Sequence, residues 1–412
     1  MTEPRARADT WTIGSFAFAL LLAITLLKGI RMPSRWAVTH YLFSYELGFM
    51  KRAFWGEILR RVFGSWTANY FTLAFVGFAV LAAFVTLIVW RCRKLGDAPE
   101  RVRFLLVFLA LPALSFAAHL VGYLEQIAYL ALAIVLVQSR PRVQLALALA
   151  AALLVPLVHE AAIVWVGPLI ALVVLVGPAT AGRSSRMRVI VAGAVLVMFV
   201  AATAFVLVRG QVTPERANAV REKATAYFEF RPRQDAFQTL TIPLRDSLRE
   251  LRGWWARTDV QIDMAASFAV FAPGAMFLAA IAFRRARANE TDRAMRLAMY
   301  ALMAAAIAGP LLLHFVGRDG HRWNALAALN AGLAALTVLT SRSAAPVQVS
   351  ATSGGRSRLG IALALCLWGV SADPVFFDAY GPNHAPFASQ IRFVIDAVRT
   401  GNRSWWLPEQ GR

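Results

Sequence analysis

The sequence predicts an all-α fold, a polytopic transmembrane helical bundle of about eleven spans, and three observations carry that prediction. Of 412 residues, 58% are hydrophobic and the mean hydropathy is +0.56. Much of this apolar content lies in runs of roughly 17–25 residues, long enough to cross a hydrocarbon core. Neither the weak period-two alternation of a membrane barrel nor a polar stretch long enough for a soluble domain is present. Finally, all six histidines, His40, His119, His159, His314, His321 and His384, fall at or beyond the same alternating ends of the runs. Most isolated carboxylates fall there too, and the opposite ends carry short arginine-rich loops. A bilayer drives ionisable groups to its edges unless they have partners or work to do.

The chain therefore reads as one integral membrane domain, 1–412. Arg5 and Arg7 precede the first run, Trp11–Ile30. A signal peptide would look similar, but this run is long and Lys28-Gly29-Ile30-Arg31 offers no small-x-small cleavage site, so it reads as a retained span. The spans that follow are Ala68–Trp90, Phe104–Val121, Tyr123–Gln138, Val143–Val158, Ala161–Ala179, Val189–Val208, Met264–Phe283, Leu297–Phe315, Asn324–Thr340 and Leu359–Ala372. Only His159 and Glu160 separate the fifth from the sixth. The whole run 143–179 is too long for one ordinary helix, and Pro156 helps to break it. The Ser-, Ala- and Gly-rich stretch 341–358 reads as a flexible inner loop.

Orientation follows the basic residues. Lys and Arg are nearly even on the two sides, but many of the outer ones sit in the single loop 209–262, and short loops count most. Arg91-Cys92-Arg93-Lys94, Arg183 to Arg188 and Arg284-Arg285-Ala286-Arg287 are short and inner when the N-terminus is inside. That places the N-terminus in the cytoplasm and the C-terminus outside. The net charge of +20 then reads as anchoring plus contact with anionic membrane lipids, and no nucleic-acid motif competes with this. Cys92 and Cys366, one beside a basic loop and one inside an apolar run, imply no disulfide framework.

Candidate chemistry collects on the outer face. In the first outer loop, 31–67, Leu47, Met50, Phe54, Ile58 and Val62 recur at helical spacing, an amphipathic interfacial helix with Trp55 as anchor. Lys51 and Arg52 either touch headgroups or clamp a phosphate. Glu57 can pair with Arg61 one turn on. Glu46 has no such partner and is the freer base candidate. Glu125, at the second outer turn, is drawn towards membrane depth, where a lone carboxylate is costly. His159 and Glu160 either share a substrate hydroxyl or satisfy each other. Gly317-Arg318-Asp319-Gly320-His321-Arg322-Trp323 is the densest cluster. There Arg318 and Arg322 suit a phosphate, Asp319 suits proton acceptance, and Trp323 suits stacking on a sugar, while an internal Asp–Arg bridge with an interfacial Trp is the plain alternative. No histidine pair has zinc-ligand spacing. In the large outer loop, 209–262, Thr213-Pro214 starts one helix, and a basic helix from Pro243 to Gly253 carries Arg245, Arg249 and Arg252. The outer tail, 373–412, holds Asp373, Asp378, His384 and Trp405-Trp406.

The whole-chain plan, the Gly-Phe-x-Lys-Arg stretch within Glu46–Glu57, His159-Glu160 and Arg318–Trp323 resemble GT-C-type glycosyltransferases and the related bacterial polysaccharide polymerases of the EpsG and O-antigen polymerase kind. The first-loop acidic pair and the C-terminal soluble domain common in those enzymes are not matched. The resemblance implies an enzyme of the bacterial inner membrane. Its donor would be a sugar or oligosaccharide on polyprenyl phosphate or diphosphate, and its acceptor a glycan or lipid. Glu46, Glu160 or Asp319 would take the acceptor proton. Lys51, Arg52, Arg318 and Arg322 would meet the phosphate, with Glu125, His159, His321 and Trp323 lining the site. No cofactor is implied and a divalent metal is left open. Two other classes fit the same plan: a transporter or flippase of a lipid-linked glycan, for which Pro168, Pro273 and Pro310 interrupt spans, and a non-catalytic envelope assembly protein.

Overall fold

A computed structural model describes residues 4–95, 99–228, 232–241, 253–315, 317, 319–341, 354–372 and 399. The described segments form helices and turns, with no strand among them. In chain order the helices are α1 (Pro4–Leu27), α2 (Arg35–His40), α3 (Ala53–Phe63), α4 (Tyr70–Cys92), α5 (Pro99–Leu109), α6 (Pro112–His119), α7 (Leu124–Val137) and α8 (Pro141–Val158). Then follow α9 (Gly167–Val176), α10 (Ser185–Arg209), α11 (Pro214–Tyr227), α12 (Gln234–Gln238), α13 (Thr258–Asn289), α14 (Arg293–Ala308), α15 (Gly320–Leu339) and α16 (Gly354–Ser371). Short 3-10 stretches occupy Glu160–Val164 and Gly309–Phe315.

Six helical segments are long and apolar enough to cross a membrane, and four shorter apolar helices accompany them. The bilayer-facing character shows on their surfaces, where Phe75, Val197, Val208, Met276 and Leu367 stand exposed. Large apolar side chains in such numbers on a helical exterior suit lipid rather than water. The chain is thus a helical protein of multi-pass membrane type. At its centre α9 is buried along its whole length, as expected of a helix that is hydrophobic all round.

Polar contacts sort the helix ends into two groups. At one end Arg91 (end of α4) donates to Thr340 (end of α15) at 2.8 Å, Ala179 N–H donates to Gln144 at 2.8 Å, and Arg188 donates to the Leu175 carbonyl. At the other end Arg31 donates to the His119 carbonyl, Lys51 N–H to Gly210, and Trp255 to the His314 carbonyl. His40, His119, His159 and His314 lie with this second group, and His384 falls outside the described residues. The Gln144–Ala179 contact returns the end of the 160–180 segment to the start of α8. The chain therefore reverses at His159–Glu160.

Proline explains one central contact. Pro310 has no N–H for the Ala306 carbonyl one turn back. Asn330, in the middle of α15, donates to that carbonyl at 2.6 Å and to the Trp165 carbonyl at 2.9 Å, and accepts from the Tyr129 hydroxyl at 2.8 Å. One buried amide thus ties α7, α14, α15 and the turn below His159 together.

Three expectations are revised. The first helix covers Pro4–Leu27 and ends short of Ile30. Helix α16 begins at Gly354, so the last residues of the expected loop 341–358 are helical. In the first loop, α3 packs inward through Ala53, Gly56, Glu57 and Leu59, and Val62, at the end of the expected apolar stripe, is 67% exposed. The reason is Gly56: a Cβ there would come within 2.1 Å of the Phe43 carbonyl oxygen, so this face of the helix lies directly on the preceding loop. Trp55 packs edge-on against Tyr41. The Thr213 cap forms, accepting from Arg216 N–H. The basic helix at 243–253 lies almost entirely outside the described residues.

Candidate functional site

Two cavities lie side by side at the histidine end. The first is a charged cleft of about 280 Å³, counted to its open mouth, lined by Trp36, Ala37, His40, Arg52, Tyr123, Leu124, Glu125, His159 and Arg322. Its charges come from distant parts of the chain. Arg52 grips both oxygens of Glu160, Nε to Oε2 at 3.0 Å and Nη2 to Oε1 at 2.7 Å, the forked geometry that guanidinium and carboxylate share. His159 Nε2 stands 3.7 Å from Glu125 Oε1. Arg322 Nε approaches the same oxygen at 3.5 Å, and its Nη1 reaches Asp319 at 3.2 Å. The Arg322 guanidinium also lies against the Tyr123 and Trp323 rings.

Backbone geometry holds these groups in place. Arg52 has φ of 64°, and no other described residue except glycine lies in that left-handed region. A non-glycine residue there costs about 1–3 kcal/mol, and such strain tends to gather at working sites. Two contacts hold it: the Lys51 N–H to Gly210 carbonyl bond at 2.9 Å and the Glu160 fork. Arg322 sits in the first turn of α15, where a cation opposes the helix dipole. Glu125 sits favourably in the first turn of α7, beside it. Beneath both, Gly309 lets the end of α14 meet the backbone of Val164, since a Cβ would clash with that carbonyl.

Protonation states follow from burial and charge. Burial pushes the His159 pKa down to about 4, with Arg52 adding to the effect. Burial likewise takes His40 down to about 3, again with Arg52 contributing. Burial alone would raise the Glu160 pKa, but the Arg52 charge outweighs it and holds the carboxyl well below the usual range. Both imidazoles are therefore neutral and Glu160 is ionised at neutral pH. His159 Nδ1 accepts the Ala161 N–H, so its proton sits on Nε2, facing Glu125. His40 Nδ1 donates to the Trp36 carbonyl at 2.9 Å, which leaves Nε2 as a bare acceptor. Among the described residues His40 Nε2, Glu125 Oε1 and Arg322 Nε are buried without a hydrogen bond. Buried polar atoms rarely stay unsatisfied. Two of these atoms, Arg322 Nε and Glu125 Oε1, face each other at 3.5 Å as an ion pair, and the cleft has space beside all three for water or a small polar group.

The second cavity is a chamber of about 1010 Å³, its mouth included, between the 41–47 loop, α3, the 3-10 turn Gly64–Ala68 and α11. Glu46 lines it and is not part of the charged cleft. The expectation that Glu46 is a free carboxylate is corrected: Lys223 lies 2.9 Å away and Arg60 3.3 Å, and the Lys223 hydrogen bond lowers its pKa. Glu57 forms the expected pair with Arg61 at 2.6 Å and a second with Arg60. Adjacent residues form the partition between the cavities, with His40 on the cleft and Tyr41 on the chamber.

The 317–323 cluster is divided. Arg322 lines the cleft, and Asp319, about half exposed, is tied to it only through Arg322. His321 is set apart, and burial lowers its pKa while Asp263 and Asp319 oppose that. Trp323 is buried and stacked on Trp165, so it offers no free face to a sugar. Arg318 lies outside the described residues. Lys51 is near Glu160, its pKa lowered by burial. The sequence reading gave His40 no role. The signal was its spacing from Trp36, one helical turn back, whose ring packs on it edge-on at 4.8 Å. No metal-ligand grouping of His, Cys, Asp and Glu occurs among the described residues. No protein-family model, no curated protein and no solved structure matches this chain.

Proposed function

We propose that the protein is a membrane glycosyltransferase or polysaccharide polymerase of the bacterial inner membrane, its histidine end facing outward. Its donor is a sugar or oligosaccharide on a polyprenyl phosphate or diphosphate. The observation that carries this reading is the meeting of Arg52, Glu125, His159 and Arg322 in one cleft, with Glu160 behind Arg52 and His40 Nε2 an unsatisfied acceptor beside them. Two arginines on a leaving phosphate stabilise the charge that grows as the bond to the sugar breaks. In the reaction the acceptor hydroxyl gives its proton to His40 Nε2. Its oxygen then bonds to the anomeric carbon, and the carbon–phosphate oxygen bond breaks with its electron pair leaving on the phosphate. Burial is the main reason His40 is a weak base, and an anionic donor opposite Arg52 offsets the smaller contribution of that charge. Glu160 positions Arg52, and His159 orients Glu125.

The test is transfer of labelled sugar from a panel of undecaprenyl-phosphate-linked donors by the protein in nanodiscs. Arg52→Ala, Arg322→Ala and His40→Ala are each expected to lower transfer at least a hundredfold at normal protein level, with Glu46→Gln costing less than tenfold. Unchanged transfer in the first three variants overturns the assignment. Movement of labelled carrier across liposomes without transfer identifies a flippase instead.

A further inference from the structure

The chamber beside the cleft carries a separate inference. With about 360 Å³ of enclosed space against about 30 Å³ in the cleft, it is much the larger of the two and lies near the lower end of the range of small-molecule pockets, about 300–1,000 Å³. Its floor is apolar, made by Tyr41, Leu42, Val220, Ala224 and Phe228. Its charged groups are confined to one side, where Arg60 and Lys223 flank Glu46 at 3.3 and 2.9 Å. Two cations share that single carboxylate, and Arg60 is also the partner of Glu57. Lys223 is half-exposed and ion-paired with Glu46, a contact that an incoming anion has to share or displace.

Its surroundings suggest how a ligand arrives. Val62 and Trp66, on the segment that forms the chamber wall, are 67% and 73% exposed, and Leu47, a lining residue, is 38% exposed. An indole and aliphatic side chains standing outward beside cationic groups are the signature of a membrane–water boundary. An occupant that comes from this side diffuses in the lipid and brings a chain with it.

We infer that the chamber binds an amphiphile made of one prenyl or acyl chain and a phosphate head, with the chain on the apolar floor and the phosphate between Lys223 and Arg60. This site is distinct from the cleft and stands whatever reaction the cleft performs. A saccharide is the occupant of other chemistry, and the test separates the two.

Protein in phosphatidylcholine nanodiscs is titrated with farnesyl phosphate, farnesol, inorganic phosphate and maltotriose, with binding read by native mass spectrometry. Farnesyl phosphate is expected to bind, farnesol at least tenfold more weakly, and the other two not at all. Lys223→Glu reverses an exposed charge and Ala224→Phe fills the floor; each is expected to weaken farnesyl phosphate at least tenfold. A wild-type size-exclusion profile for Lys223→Glu separates its loss of binding from a loss of fold. Arg322→Ala removes a phosphate contact from the cleft, so a second farnesyl phosphate bound there is expected to be lost in this variant while the chamber-bound one remains. The proposal is overturned if maltotriose binds in preference, if both chamber variants bind like the wild type, or if only Arg322→Ala abolishes binding. Absence of sugar transfer by the wild type with farnesyl phosphate binding intact overturns the transferase reading alone.

Discussion

Arg52 shows most directly what this site demands. Its backbone is held in a strained region while its side chain forks onto Glu160. Removing one member of a buried pair leaves the other charge stranded, at a cost of about 3–5 kcal/mol. Glu160→Gln is therefore expected to destabilise the protein by about 3 kcal/mol in detergent, and the double variant Arg52→Met/Glu160→Gln by less. A double-mutant cycle from thermal unfolding measures the difference, and additive losses would show that the pair is not coupled. The imidazoles set a pH dependence. Their folded pKa values, about 4 for His159 and about 3 for His40, lie below the 6.5 of the unfolded chain. The unfolded state thus binds more protons below that pH. Stability is full above pH 6.5 and falls as the pH drops towards 4. Glu160, with its depressed pKa, adds to the loss below about 4.5. Melting temperatures between pH 7.5 and 4 test this, and a flat profile would contradict neutral buried histidines.

Within the elements, glycine and capping residues decide how closely segments meet. Gly56→Ala places a methyl group against the carbonyl oxygens of Phe43 and Tyr41. It is expected to lift α3 from the loop and reduce farnesyl phosphate binding in the chamber, where Gly64→Ala, with open space around it, leaves the wall packing unobstructed apart from its strained φ of 53°. Thr213→Ala removes the cap of α11 and is expected to cost about 1 kcal/mol, read as increased proteolysis of the 214–227 segment. Several of these features were legible in the sequence. The reversal at His159–Glu160 followed from a run too long for one span, and the Glu57–Arg61 pair from helical spacing. Glu46 was misread because its partner Lys223 belongs to a different loop, and local spacing carries no information about such a meeting. Trp323 was misjudged for a similar reason: an aromatic at a turn reads as interfacial, but Trp165 covers it. Asn330 was a missed signal, a lone amide inside an apolar run, and such residues usually mark a specific polar contact.

Across the whole molecule, the sorting of helix ends is the property from which the site arises. The chain must reverse at each turn for Arg52, Glu125, His159 and Arg322 to reach the same cleft. Cysteines placed at Ser139 and at Lys223 in a Cys92→Ala/Cys366→Ala background are expected to react with an impermeant maleimide from opposite faces of sealed vesicles, with Lys223 on the outside. Labelling of both from one face would contradict the arrangement. The number of crossings was less legible than their alternation, because helices such as α7 and α9 are too short and too deeply packed for hydropathy to separate a span from a core element.

The first and last described membrane helices are joined by one side chain. The buried Lys28 ammonium donates to the carbonyls of Gly369, Val370 and Ala372, the groups that α16 leaves without internal partners at its end. During synthesis that lysine enters the bilayer long before its acceptors exist. Its ammonium must keep water or headgroup partners near the interface until the helix that carries those carbonyls arrives. A chain stalled before residue 369 would hold its amino-terminal helix only by packing on α5 and α6, without this latch.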